Sequence, residues 1–360
     1  MARPSHMVVD LAALIENYQW ACQLAPHSKT MAVVKANAYG HGAVACARAL
    51  QPFAPAFGVA CIEEAIQLRE AGITKPILLL EGTFSADEVI IAAAHEFWLM
   101  VEDPVQIEAI VKATVSTPLK VWLKIDSGMH RLGLNPTRVR GFYEQLLASK
   151  NVLPDMVFAT HFASADETEN PFTLSQVKRF TATTKHFKQP VSLANSAAIM
   201  AWPEAHGDWN RAGFMLYGNS PLDAEHASSI GLKPVMQVRS AIISLRHIDT
   251  GATVGYAQQW CAPRPSIIAT VAIGYGDGYP RGAATGTPVV VKGQRASIVG
   301  RVSMDMITID VSDLTGVEVG DQVCLWGKGL SINEVGHHAG TIGYELMTRV
   351  TQRLPIQYTQ

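Results

Sequence analysis

Short apolar runs alternate with amphipathic stretches along the first two-thirds of the chain, and this rhythm limits the fold more than any other feature. Eight runs read as buried strands: MAVVK from Met31, FGVA from Phe57, ILLL from Ile77, FWLM from Phe97, KVWLKID from Lys120, MVFATHF from Met156, VSLAN from Val191, and the stretch from Trp209 to Leu216. Their length and β-branched, aliphatic content suit core strands. Leu11, Leu14, Ile15 and Tyr18 fall at helical spacing ahead of them, and IEEAIQLREAG, ADEVIIAAAHE, PVQIEAIVKA, RVRGFYEQLLAS and TLSQVKRFTATTKHF carry helical patterns between them. Strand then helix, repeated eight times, predicts an α/β fold with an N-terminal (β/α)8 TIM-like barrel. A doubly wound open sheet is the alternative.

From about Leu232 the period changes. VMQVRSAIISLRHI, SIIATVAIGYG, TPVVVKGQRASIVGRVSMDMITIDV and DQVCLWG alternate between glycine-bearing turns, and only SINEVGHHAG and GYELMTRV look helical. This predicts a mostly-β domain over 231–360 after a barrel over 1–230, with the boundary in the proline-bearing stretch from Pro221 to Pro234. The glycine-rich GYGDGYPRG lacks the third glycine of a dinucleotide loop, because Tyr279 stands there, and no βαβ unit surrounds it.

Chemistry gathers at the strand ends. The runs close on or near Lys35, Glu81, Asp126, His161, Asn195 and Arg211. Singly, His161 reads as a core histidine and Asn195 as a helix cap. Their recurrence at one point of the repeat matches the end of a barrel where active sites form. Lys35 is the most telling. Burying an ammonium is costly, and a desolvated lysine turns nucleophilic. After it come Asn37, Tyr39, Gly40, His41 and Gly42, a turn-rich loop, and AVACARAL, a helix. Ser196 in LANSAA stands where a helix N-cap belongs. Arg211 in NRAGFMLYG precedes Gly213, which lets backbone approach a ligand closely.

Composition excludes several classes. The formal charge of −2 leaves no basic footprint for nucleic acid. Five scattered cysteines without CxxC spacing argue for a reducing compartment and against a disulfide framework or a metal site. No apolar signal core or long uncharged run appears, so a cytoplasmic protein with no membrane contact is expected.

VVKANAYGHG resembles, nearly letter for letter, the cofactor-binding signature of alanine racemases, which use pyridoxal 5'-phosphate. LANSAA, NRAGFMLYG, KIDSGMHRLG, TVGYAQQW, SMDM and GTIGYEL match further parts of that family, so the resemblance covers essentially the whole chain. It implies that Lys35 holds the cofactor as a Schiff base, with Tyr39 and His161 beside it. Arg211 would face the pyridine nitrogen. Asn195, Ser196, Gly213, Phe214 and Tyr344 would hold the phosphate, with Tyr344 at the inner gate. Arg131 would orient the substrate carboxylate and the cofactor phenolate, braced by a carbamylated Lys124. Tyr256 would be the second base, relayed to His161 and Arg211. Met304 would contact substrate through its backbone, supported by Asp305 and Tyr275.

The implied activity is two-base interconversion of L-alanine and D-alanine, for cell-wall peptidoglycan or alanine catabolism. The implied assembly is a head-to-tail homodimer, the β domain completing the partner subunit's site. A decarboxylase of the same fold is the competing enzyme, but its Glu-Pro-Gly-Arg phosphate motif is absent. A non-catalytic cofactor carrier would not need the long β domain that bears Tyr256.

Overall fold

The computed structural model describes residues 3–222 and 226–360; positions 223–225 of the proline-bearing boundary stretch lie outside the described residues. Two compact units emerge, Leu14–Leu232 and a second unit made of the chain up to Ala13 together with Lys233–Gln360. The opening strand β1 (His6–Asp10) therefore serves the β unit, and the barrel unit starts at Leu14 rather than at residue 1.

All eight expected barrel strands are present: β2 (Lys29–Val33), β3 (Phe57–Val59), β4 (Ile77–Leu79), β5 (Trp98–Val101), β6 (Val121–Lys124), β7 (Val157–Ala159), β8 (Val191–Ser192) and β9 (Trp209–Ala212). They pair in parallel from β2 through β8, with β9 against the far side of β2. The seam between β8 and β9 is narrow. The Arg211 N–H donates to the Ala194 carbonyl at 2.9 Å, and the Val191 N–H to the Asp208 carboxylate at 2.8 Å. Inward side chains fill the interior: Met31, Leu78, Met100, Trp122, Val157, Ala159 and Trp209 form one buried cluster. Trp98 and Trp209 meet edge to face, 5.7 Å apart at their centroids. The barrel is thus a packed core, and chemistry is pushed to its rim.

In the β unit, β10 (Met236–Ile248) is followed by the short hairpin β11 (Thr253–Val254) and β12 (Trp260–Cys261). The strands β13 (Ser266–Val271), β14 (Pro288–Val291), β15 (Gln294–Ile298), β16 (Ile307–Asp310) and β17 (Gln322–Trp326) then run around in the order β13-β16-β15-β14-β17-β10. A β10–β13 pairing closes this circuit into a small antiparallel barrel without free edges. A register shift at Ile242/Ser244 bends the long β10. The antiparallel partner β1 and then the parallel β18 (Ile356–Thr359) extend the sheet beyond β10. The two expected helices are Ile332–His338 and Gly343–Thr348.

Candidate active site

The strand β2 stops at Val33, two residues before Lys35, and the turn beyond Lys35 is not an ordinary loop. Ala36, Asn37, Ala38 and Tyr39 all hold left-handed backbone, with φ from 51° to 54°. Each costs on the order of 1–2 kcal/mol in this conformation. The turn persists because it is tied down. Glu64 accepts from the Ala36 N–H at 2.6 Å and the Ala60 N–H at 2.8 Å. Asn37 Oδ1 accepts from the Ala43 N–H at 2.8 Å, starting the helix Ala43–Leu50. His41 is fully buried and stacks on Tyr217, 4.5 Å between centroids, while Tyr217 donates to the Val33 carbonyl at 2.9 Å. Burial pushes His41 down to about 4 and the Tyr39 phenol up to about 12, so both are neutral at pH 7. Strain held this tightly fixes where Lys35 points.

Arg211 on β9 is buried and, among the described residues, paired with no carboxylate. Its Nη1 donates to the Ser192 carbonyl at 3.0 Å and hydroxyl at 2.6 Å, and its Nη2 to the carbonyls of Thr160 at 2.6 Å and Leu193 at 3.1 Å. None of these bonds uses Nε–H, which is left as a cationic donor. Burial lowers the guanidinium to about 10, still charged at neutral pH. His161 comes after β7 and is held well below its ordinary value by desolvation and by the charges of Arg211, Arg131, Lys124 and Lys35. It is neutral at pH 7.

The phosphate candidates lie on the turns after β8 and β9. The cap of helix Ser196–Ala201 is Asn195, not Ser196: the Asn195 side chain accepts from the Ala198 N–H at 3.0 Å. That frees Ser196 Oγ for another task. It accepts from the Gly213 N–H at 2.9 Å and the Met215 N–H at 3.3 Å, so its own proton points elsewhere as a donor. A Cβ on Gly213 would sit 2.8 Å from the Tyr39 hydroxyl. Phe214 is buried beside it. An unused cationic donor at Arg211, a free hydroxyl proton at Ser196 and a side-chain-free wall at Gly213 fit a ring with an anionic tail.

Lys124 closes β6 and is buried, its Nζ 2.7 Å from Glu102 Oε2. The loop after it turns back so that the Leu134 N–H donates to the Lys124 carbonyl at 2.8 Å. Arg131 rides that loop, exposed and without an ion pair among the described residues. Lys35, Tyr39, Lys124, Arg131, His161, Asn195, Ser196, Arg211, Gly213 and Phe214 therefore belong to one unit, at the ends of its strands and on the turns after them.

The other set belongs to the β unit. Tyr256 sits in a tight turn after β11 and is 71% exposed, and Met304 is 53% exposed. The Gly276 N–H donates to the Met304 carbonyl at 2.8 Å and the Tyr275 N–H to the Ser303 carbonyl at 3.0 Å, which ties the two loops together. Asp305 is held by Arg353 at 2.6 Å, and Arg353 in turn reaches the buried Asp277 at 3.2 Å. Tyr344 is half-buried on helix Gly343–Thr348.

Two contributors carry no clear signal in the sequence. Glu64 lies on an amphipathic helix where acidic residues signal solvent. Glu102 comes just after β5 at the same strand-end position as the others, but the adjacent Asp103, which caps helix Pro104–Lys112, masks it. Among the described residues no cluster of three metal-ligating side chains occurs, and no helix is long and apolar enough to cross a membrane.

Fold and site define a barrel enzyme of the amino-acid racemase class, an isomerase. Residues 9–221 match the model of the alanine racemase N-terminal domain, and residues 235–358 that of the alanine racemase C-terminal domain. The chain is 50% identical to alanine racemase of Chromohalobacter salexigens, over 99% of this chain and 98% of that one. Its structure matches biosynthetic alanine racemase from Pseudomonas aeruginosa with a TM-score of 0.96 at 47% identity, covering 99% of this chain and 100% of that one. It also matches alanine racemase from Bartonella henselae with covalently bound pyridoxal phosphate, with a TM-score of 0.90 at 30% identity, covering 100% of both chains. The chain belongs to the alanine racemase family, whose members depend on pyridoxal phosphate.

Proposed function

We propose that this chain racemises alanine with pyridoxal 5'-phosphate held on Lys35, in a site that two subunits build together. The observation that carries the reading is Arg211, a buried guanidinium whose protein partners are all neutral acceptors. Pyridoxal phosphate, when bound, spreads the negative charge left on a substrate carbon that has lost its proton. Arg211, which cannot give up a proton at neutral pH, would donate to the ring nitrogen of the bound group, and that would favour returning the proton to Cα over transamination.

The chain's own residues do the rest. Ser196, Asn195, Gly213, Phe214 and Tyr344 would hold the phosphate, and Tyr39 and His161 would hold the ring. Arg131 takes the substrate carboxylate. Inverting a carbon centre needs a base on each face. Lys35 Nζ takes the α-proton of D-alanine, and Tyr256 Oη serves the L-alanine face. A phenol with the ordinary pKa of about 10 is a poor base at neutral pH. His161, held neutral, offers the proton relay from Tyr256 an acceptor. Met304 and Tyr344 narrow the pocket to a methyl side chain, with Asp305 and Tyr275 fixing the loops that carry it. A homodimer with the β domain of one subunit over the barrel of the other would cover the exposed Tyr256. Five free cysteines suit a reducing cytoplasm.

Incubating the loaded enzyme with L-alanine and measuring D-alanine tests this. The expected result is a mixture near equal parts. Release of carbon dioxide would instead mark a decarboxylase, and no reaction a cofactor carrier.

A further inference from the structure

The glycine-rich run GYGDGYPRG lies so close to the Met304 loop that side chains are excluded between them. A Cβ on Gly274 would stand 2.5 Å from the Met304 carbonyl oxygen, and one on Gly276 3.0 Å from the same atom. The backbones bond instead: the Tyr275 N–H donates to the Ser303 carbonyl and the Gly276 N–H to the Met304 carbonyl. Burial does not set the place of this loop, because Met304 and Met306 are both exposed. Polar ties set it, and they converge on Asp277.

Asp277 is fully buried. Arg3 meets its carboxylate with both Nη groups, Nη2 donating to Oδ2 at 2.7 Å. Arg353 Nε approaches Oδ1 at 3.2 Å, and the Gly274 N–H donates to Oδ2 at 2.9 Å. A carboxylate is tolerated in such a place only with partners, and a two-pronged guanidinium fixes direction as well as charge. Both arginines also reach the Met304 loop. Arg3 Nη2 donates to the Asp305 carbonyl at 3.3 Å, and Arg353 Nη2 to the Asp305 carboxylate at 2.6 Å. The strand β1 brings Arg3 there. Just ahead of β1, the Ser5 hydroxyl donates to the Ala272 carbonyl and meets the Ser240 hydroxyl at 3.1 Å, and β1 itself pairs with β10.

We infer that Asp277 and Arg3 are positioning residues: they clamp the glycine-rich turn to the Met304 loop and so aim the Met304 N–H at the substrate. The inference rests on the reading of Met304 as a substrate contact through its backbone. The Ser303 carbonyl and the Met304 N–H belong to one planar trans peptide and point opposite ways. Holding that carbonyl on the Tyr275 N–H therefore turns the Met304 N–H away from the glycine-rich turn, and among the described residues it has no acceptor. The next carbonyl, that of Met304, is spent on Gly276. Without the clamp the turn and the exposed loop would keep these two backbone bonds but lose the charged struts that hold them in register. Arg3 and Asp277 both lie in the β unit, so the barrel residues proposed to hold the cofactor are not part of the clamp.

Arg3 is partly exposed, so Arg3→Gln in the loaded enzyme removes the two-pronged contact without opening the core. It should raise KM for alanine about tenfold, with kcat changed less than about threefold and the cofactor absorbance unchanged. The preference for alanine over serine, as a ratio of kcat/KM, should fall about fivefold. Hydrogen–deuterium exchange followed by mass spectrometry should show residues 303–306 exchanging about tenfold faster, with the barrel unaffected. Asp277→Asn should act in the same direction, and adding Arg3→Gln to it should change little more, because the two residues form one contact. An unchanged KM or an unchanged exchange rate in Arg3→Gln overturns the inference. So does a fall in kcat as large as the rise in KM, or a loss of cofactor absorbance, since either marks general loosening rather than lost aim. If Asp277→Asn does not fold, Arg3→Gln decides alone. An unmodified protein that fails to racemise alanine counts against the activity, and the exchange result then decides the clamp.

Discussion

The barrel buries several of its candidate functional side chains, though not Arg131, while the β unit leaves Tyr256 and Met304 open. Arg211 is buried behind four hydrogen bonds, His41 is sealed under a strained turn, and Lys124 is paired inside the fold. Tyr256 and Met304 stand 71% and 53% exposed, and Ile342, next to the Tyr344 helix, is 62% exposed. Groups that orient a cofactor must be immobile before it arrives. Exposed aromatic and apolar side chains of this kind suit a surface that takes a partner. The difference is what the proposed shared site requires, one half preorganised by folding and the other completed by association.

The two halves should therefore break differently. The largest effect is expected at Lys35. Lys35→Ala should lose the visible absorbance of the bound cofactor and about a thousandfold or more of activity. Borohydride reduction followed by peptide mass spectrometry should place the adduct on Lys35, and an adduct on another lysine would sink the assignment. Tyr256→Phe should leave the cofactor spectrum intact. It should slow exchange of the L-alanine α-proton with deuterated water by about a hundredfold or more, and exchange of the D-alanine α-proton far less. Equal losses for both enantiomers would mean that Tyr256 is not one of two bases.

Smaller effects sharpen the view of the preorganised half. Gly213→Ala pushes a methyl to 2.8 Å from the Tyr39 hydroxyl. Overpacking of that kind costs about 1–3 kcal/mol, so cofactor affinity should fall about tenfold or more. Tyr39→Phe in the same chain should return part of it, and unchanged affinity in the single variant would remove the wall from the cofactor site. His41 gives a pH signature. Burial holds it at about 4 against an ordinary 6.5, so below 6.5 the unfolded chain takes a proton that the native chain refuses. Stability should fall as pH drops from about 6.5 towards 4, by up to about 3 kcal/mol. Urea midpoints across that range would show it, and His41→Asn should flatten the slope. The same slope in the variant would assign the loss to other groups.

Much of this was legible in the chain. The eight strands and the two late helices follow from periodicity, which burial enforces over whole elements. Lys35, His161, Asn195 and Arg211 follow from their recurrence at strand ends. Geometry without a residue-type signature was not legible. Nothing in ANAY announces four left-handed residues, because Ala and Tyr rarely adopt that backbone and do so here only under the hold of Glu64 and Asn37. Asn195 reads as a helix cap in the sequence, but nothing there shows that Ser196 Oγ accepts from the Gly213 and Met215 N–H groups. The strand at His6–Asp10 joined the β unit through a pairing with Val238 and its neighbours more than two hundred residues away, which no local pattern encodes.

Whether Lys35 and Tyr256 of different chains share a site is tested most directly by subunit exchange. Lys35→Ala and Tyr256→Ala chains, each nearly inactive alone, are mixed and allowed to exchange. Every mixed dimer would then hold one doubly damaged site and one intact site. Statistical mixing makes about half the dimers mixed, so about a quarter of all sites should be intact. Activity should climb towards a quarter of the unmodified value. Activity that stays at the level of the single variants, with exchange shown by mass spectrometry of the mixed dimers, would put both residues in one chain and contradict the shared site.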